Sequence, residues 1–386
     1  FVNGLLYDAL KAQASDIHLE CAARGLAVKY RLDGVLQAVA RPEGRDFADR
    51  VVSRIKVLAD LDISERRVPQ DGRLKLSYGG RAIDVRVSIM PNLYGEDAVL
   101  RILDRYQLSA ESTLSIEHLG FDAANARFIR RLGAMPYGLL LVTGPTGSGK
   151  TTTLYAVISE VNSGQEKIIT IEDPVEYQLP DVLQIPVNEA KGLTFARGLR
   201  SILRHDPDKI MVGEMRDPET AQIAIQAALT GHQVFATVHA NNVFDVIGRL
   251  STMGVDPYNL VSALNGVVAQ RLVRIVCPHC STPDEPGAER IEASALPDIP
   301  LGWSFRRGIG CAHCRGTGYK GRRAIAQTLA MDVGLRSLIA ERASPAALRE
   351  AARERGLRTL REAALELVAR GETTLEEANR VTAVEE

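Results

Sequence analysis

Lys150 and Thr151 close the stretch Gly144-Pro-Thr-Gly-Ser-Gly149, and a lysine then a hydroxyl at that distance from a first glycine is a phosphate-binding pattern. Glycines let successive backbone N–H groups curl around an anion, and a following helix adds the partial positive charge of its N-terminus. In this pattern Gly144, Pro145, Thr146, Gly147, Ser148, Gly149, Lys150, Thr151 and Thr152 would line the phosphates of ATP. Lys150 would reach the β- and γ-phosphates, and Thr151 would ligate Mg²⁺. The context agrees: Gly138 to Thr143 is an apolar run of strand length, and Leu154 to Ile158 has helical composition.

Hydrolysis of a γ-phosphate also needs a group to orient or deprotonate water, and positive charge for the transition state. Glu214 follows the apolar strand Ile210-Met-Val212 and falls where a water-activating carboxylate is wanted; the alternative is a surface glutamate in a turn. Gly213 rather than an aspartate ends that strand, so its direct ligation of Mg²⁺ is in doubt. Glu172, Asp173 and Glu176 form a second acidic cluster after Lys167-Ile-Ile-Thr-Ile171, or else a solvated turn fixed by Pro174. His232 and His239 bracket the strand Gln233–Val238 and so lie at its opposite ends. His239 is at the ligand end, as a γ-phosphate sensor, whereas His232 is equally well explained by a structural hydrogen bond. For positive charge Arg216, Arg271 and Arg274 lie in the same half of the chain, with Arg86 and Arg101 in the other. Arg86 shares a strand face with Asp84, and local reasoning favours a salt bridge between them.

Four of the five cysteines form two C-x-x-C pairs, Cys277/Cys280 and Cys311/Cys314, a spacing that suits tetrahedral Zn²⁺. Four thiolates leave no open coordination position, so the site is expected to be structural. His279 and His313 lie inside the pairs as alternative ligands, and Cys21 reads as a buried filler.

The elements that must position these groups are those of an α/β protein in more than one domain. Residues 1 to about 103 mix helices with alternating strands, residues 104–119 read as a linker, and from about 120 strands alternate with helices as in a covered parallel sheet. The last residues, rich in Ala, Leu, Arg and Glu, read as a small helical cap. With 47 basic against 48 acidic residues, summed charge offers no reason to expect nucleic acid. No apolar run reaches membrane-spanning length, so membrane contact is expected to be indirect. The chain starts at Phe1 without signal-peptide features and is expected to be a fragment.

Four runs carry a family resemblance: Gly144–Thr153, Ile171-Glu-Asp-Pro-Val-Glu-Tyr177, Asp206–Asp217 and Thr230–His239. They are similar to the Walker A, Asp box, atypical Walker B and His box of the secretion superfamily ATPases. Ala14–Glu20, Arg66–Gly72 and Arg86–Pro91 also match, so the resemblance spans essentially the whole chain. It implies a PAS-like α/β domain over 1–103, a linker, a RecA-like P-loop domain over 120–276, an inserted tetracysteine zinc module with its following strand over 277–330, and a helical subdomain over 331–386. It further implies a homo-hexameric, cytoplasmic ATPase, peripheral at the inner membrane through secretion-platform proteins that dock mainly on an absent N-terminal domain. Under the resemblance Glu214 is the catalytic glutamate, Arg86 and Arg101 occupy arginine-finger positions, and both histidines and Glu176 join the site. Ala240-Asn241-Asn242 departs from the commoner Thr-Asn-Asp or Thr-Asn-Ser. The cysteine module points to the type II secretion and pilus-assembly branch, and its short excursion to type II secretion. A type IV pilus extension motor, a nucleic-acid motor and an ATP-binding scaffold with little turnover are the alternatives.

Overall fold

A computed structural model describes residues 1–103, 114–296, 299 and 302–383. Contacts divide the chain into two units, Phe1–Ser112 and Thr113–Glu386. The first ten residues of the expected linker, 104–113, lie outside the described residues.

In the first unit α1 (Val2–Lys11), β1 (Asp16–Ala22), β2 (Gly25–Leu32), β3 (Val35–Ala40), α2 (Arg45–Leu58), β4 (Gln70–Tyr78), β5 (Arg81–Asn92) and β6 (Gly95–Leu103) follow one another. The strands form one antiparallel sheet in the order β3-β2-β1-β6-β5-β4. Strict alternation sorts its faces. Ile83, Val85, Val87 and Ile89 of β5 are buried in a core shared with Leu5, Leu6, Val51, Val52 and Ile55 of the two helices. Asp84, Arg86 and Ser88 are therefore turned to the other face.

The second unit starts with α3 (Ala123–Gly133), β7 (Gly138–Thr143), α4 (Lys150–Val161), β8 (Ile168–Glu172), β9 (Leu183–Pro186), α5 (Phe195–Ile202), β10 (Lys209–Val212), α6 (Pro218–Leu229) and β11 (Gln233–Val238). It continues through α7 (Val243–Thr252), α8 (Pro257–Ala263), β12 (Leu264–Val276), β13 (Ser281–Pro283), α9 (Ala288–Glu292), β14 (Arg306–Gly308), β15 (Tyr319–Ala330), α10 (Val333–Ala340), α11 (Pro345–Glu354), α12 (Leu360–Ala369) and α13 (Leu375–Val381). Seven strands pair in the order β15-β12-β7-β11-β10-β8-β9, all parallel except β15, which runs antiparallel along β12.

Helices on both faces explain why β7 is buried throughout. Leu139 and Leu141 enter one core while Leu140 and Val142 enter the other. Residues 114–119, expected in the linker, are folded onto this sheet: Ile116 is fully buried, and its N–H donates to Glu160 Oε1 at 2.8 Å. Their apolar residues Leu114, Ile116 and Leu119 have no helical or strand period, which is why they resemble connecting chain.

Candidate active site

The phosphate loop joins the C-terminal end of β7 to the N-terminus of α4. Gly144 has φ +150°, and a Cβ there would lie 2.6 Å from both the Gln270 carbonyl oxygen and Ser148 Oγ. Gly149, at φ +86°, starts α4 and brings no capping side chain, so the amides of Gly149, Lys150, Thr151 and Thr152 have no intrahelical acceptor. The Ser148 hydroxyl is buried without a partner among the described residues. Orphaned donors around a helix N-terminus, beside a lysine, fit the phosphates of a nucleotide. Lys150 Nζ donates to the Gly144 and Pro145 carbonyls at 3.0 and 3.1 Å. Burial lowers its pKa, and the negative charge of Glu214 works in the opposite direction.

One residue behind this loop was not suspected from sequence. Gln270 of β12 donates through Nε2 to the Ser148 carbonyl at 2.7 Å, fastening the loop to the neighbouring strand. Thr143 Oγ1 also accepts from the Ala240 N–H at 2.9 Å, tying the start of the loop to the segment after β11. Both contacts join residues about a hundred positions apart, and no local motif announces them.

The strand ends beyond the loop gather the remaining candidates. Glu214, 15% exposed, receives His239 Nε2 at 2.9 Å on one carboxyl oxygen and Arg216 Nε at 2.7 Å on the other. Parallel pairing of β10 with β11 places the two ends side by side, and the Thr237 hydroxyl donates to the Gly213 carbonyl at 2.6 Å. Asp217 caps α6 through Thr220 N–H at 2.9 Å, ahead of Pro218 at the first helical position, and so ends the turn that carries Glu214.

His232 lies at the other end of β11. Its Nδ1 is 3.0 Å from the Ala227 carbonyl at the end of α6, a structural bond away from the loop of its own chain.

The second acidic cluster divides. Glu172 is 2% exposed rather than solvated: Thr170 Oγ1 donates to it at 2.5 Å, Gln184 Nε2 at 3.1 Å, and the Tyr155 hydroxyl also bonds it. Burial, then the charge of Glu172, raises the pKa of Tyr155. Asp173, after this buried group, lies 3.7 Å from Arg216 Nη1. Glu176 is tied through its backbone N–H to the Tyr155 hydroxyl at 3.3 Å.

Arg86 and Arg101 belong to the first unit, where the register makes them direct cross-strand neighbours, with Arg73 beyond Arg86 and Asp16 beyond Arg101. Arg101 Nε bonds Asp16 Oδ1 at 2.9 Å, whereas Arg86 makes no ion pair among the described residues, so the expected pair with Asp84, which is itself engaged, does not form there. Like charges opposite one another across strands are destabilising, so this row is held against a local penalty. Arg73, Arg86 and Arg101 line a cavity of about 480 Å³.

The four cysteines are free thiols whose sulfurs all lie within 4.8 Å of one another. Sγ···Sγ distances are 3.9 Å for Cys277–Cys311, 3.8 Å for Cys280–Cys314 and 3.7 Å for Cys311–Cys314. A tetrahedron of Zn–S bonds of about 2.3 Å has edges of about 3.8 Å, so the donor set fits that metal. Burial opposes ionisation of Cys314, but N–H donors of Cys311 and Gly318 at 3.1 and 3.3 Å bring its thiol down to about 6. His279 and His313 stack on each other, ring centres 3.9 Å apart, and stand outside the sulfur cluster. Between the pairs, β13 and β14 form an antiparallel two-stranded ribbon, and α9 lies in the stretch that connects them.

A family model described as type II/IV secretion system protein matches residues 1–380. The type II secretion system protein E of Aeromonas hydrophila is 47% identical over 381 residues, covering 99% of this chain and 75% of that protein. The type II secretion system ATPase E of Vibrio cholerae is 46% identical over 386 residues, covering 99% and 74%. Among solved structures, the pilus retraction motor PilT with bound ADP superimposes with a TM-score of 0.62 at 26% identity, covering 98% of this chain and 96% of that one.

Proposed function

This chain belongs to the type II/IV secretion system protein family, and we propose that it is the ATP-hydrolysing motor of a type II secretion system, working as a cytoplasmic homo-hexamer. The observation that carries the reading is that the Lys150 loop and Glu214 follow the C-terminal ends of β7 and β10, two parallel strands that flank β11 in one sheet. Relatives named for type II secretion favour that pathway over a pilus extension motor.

The Thr151 hydroxyl would hold Mg²⁺, whose positive charge would help neutralise the phosphates. The loop amides and Lys150 bind the phosphates and orient the γ-phosphoryl group. Glu214 orients the attacking water and takes its proton, while His239 and Arg216 fix both of its carboxyl oxygens. His239, 44% exposed in its side chain, senses the γ-phosphate from the next strand end. Arg86 and Arg101 serve as arginine fingers supplied from a first unit to a neighbour's loop, with His232 and Glu176 in supporting positions. Cys277, Cys280, Cys311 and Cys314 would hold Zn²⁺, which would cross-link the ribbon module. The same reading keeps the division into a PAS-like domain over 1–103, a RecA-like domain over 120–276, the zinc module and strand over 277–330, and a helical subdomain over 331–386. Among the described residues no helix is long and apolar enough to cross a membrane, so attachment at the inner membrane is assigned to platform proteins. The balanced charge of the chain gives no reason to add nucleic acid to this reading.

Glu214→Gln tests the central assignment. ATP binding should persist, followed by equilibrium titration, while turnover falls by about 10² to 10⁴. Unchanged turnover would remove Glu214 from the mechanism.

A further inference from the structure

Within the second unit, α11, α12, the end of α13 and the segment after β11 enclose a cavity of about 920 Å³ that the motor reaction does not use. Arg271, Arg349, Arg353 and Arg361 line it, against the carboxylates of Glu350 and Glu354. Arg361 is only 8% exposed, yet its donors end on Thr382 Oγ1 at 3.2 Å and the Ser294 carbonyl at 2.8 Å. Arg271, half-buried, likewise reaches carbonyls, those of Gln270 and Asn241 at 3.0 and 2.8 Å. Neither has a carboxylate partner among the described residues. A guanidinium withdrawn from water without a counter-charge is costly, and an anion in the cavity would supply that charge. Burial lowers the pKa of both groups, in keeping with this shortage.

The cavity borders the phosphate loop through Arg271, whose Nη1 bonds the Gln270 carbonyl beside Gly144 and whose positive charge helps lower the pKa of Lys150, whereas Arg349, Arg353 and Arg361 come from α11 and α12. No residue of the loop lines the cavity. Its volume suits a small ligand rather than a protein segment.

We propose that this cavity binds a small phosphorylated molecule as a second anion site. Planar guanidinium groups match phosphate oxygens in pairs, and two of the four are already fixed in place. The occupant would regulate the motor, because Arg271 holds the carbonyl of Asn241, two residues beyond His239.

Pyrophosphate is a suitable probe, titrated by calorimetry into the whole chain already saturated with ADP. Arg349 is exposed and without a partner among the described residues, so Arg349→Ser should fold normally. The proposal expects saturable binding that weakens roughly tenfold to a hundredfold in Arg349→Ser, the loss of a charge-assisted bond, and is unchanged in Lys150→Ala. Absence of binding at millimolar pyrophosphate would overturn it. So would binding that disappears in Lys150→Ala and survives in Arg349→Ser, since the anion would then sit on the phosphate loop.

Discussion

Mixing two inactive variants tests whether the arginine row and the phosphate loop complete one site between neighbouring subunits. Arg86→Ala removes a half-buried side chain that makes no ion pair among the described residues, so its effect on folding should be about 1 kcal/mol or less, the size of a typical substitution. Lys150→Ala removes the cation that spans the loop carbonyls. Each variant alone should lose roughly 10³ to 10⁵ in turnover if its charge meets the transition state. In a ring assembled at random from equal amounts, an interface works when the loop comes from an Arg86→Ala chain and the arginine from a Lys150→Ala chain. That holds at about a quarter of the interfaces of a cyclic assembly. Turnover of the mixture should therefore recover to about a quarter of the wild-type rate if sites fire independently, and rise steeply with protein concentration as rings form. Phosphate release measured across concentrations reads this directly, with sedimentation on the same samples to establish that the variants co-assemble. Mixed rings as inactive as either parent would refute the reasoning: Arg86 would then act within its own chain or have no part in hydrolysis.

Two further outcomes follow from the buried groups. The whole chain should carry about one Zn²⁺, and stripping it should unfold the β13–β14 module, since such a metal contributes about 10 to 16 kcal/mol to folding its site. Metal analysis with thermal denaturation before and after chelation checks this, and a metal-free chain of unchanged stability would contradict it. Tyr155→Phe should destabilise the second unit by about 1.5 to 3 kcal/mol, the worth of a hydrogen bond to a charged group, because Glu172 loses one of its donors. Urea denaturation measures that loss; unchanged stability with abolished turnover would instead make Glu172 a reacting group.

What was readable beforehand follows the range of the interactions. The phosphate loop is local, so strand, glycines and helix could be recognised together, and the alternation of strands with helices already implied a parallel sheet covered by helices. The opposite placement of His232 and His239 followed from strand length alone. Alternation correctly turned Arg86 from its own core but could not pair it with Arg101, since that adjacency is a matter of register between strands. Glu172 resembled a solvated acid because its partners, Tyr155 and Gln184, arrive from an adjacent helix and an edge strand. Gln270 and the stacked His279–His313 pair were equally beyond local pattern.

Strand β12 has a mechanical consequence. Its thirteen residues would span about 43 Å when extended, and along that length it is fastened at successive points. Gln270 grips the phosphate loop, Arg271 the segment after His239, and Arg274 forms a doubly bonded pair with the fully buried Glu377 of α13. Cys277 follows the last residue without an intervening turn. In the proposed motor a strand clamped in this way would pass a shift of the loop along its length toward the cysteine pairs, and the tetracysteine end would be the output side of the catalytic sheet.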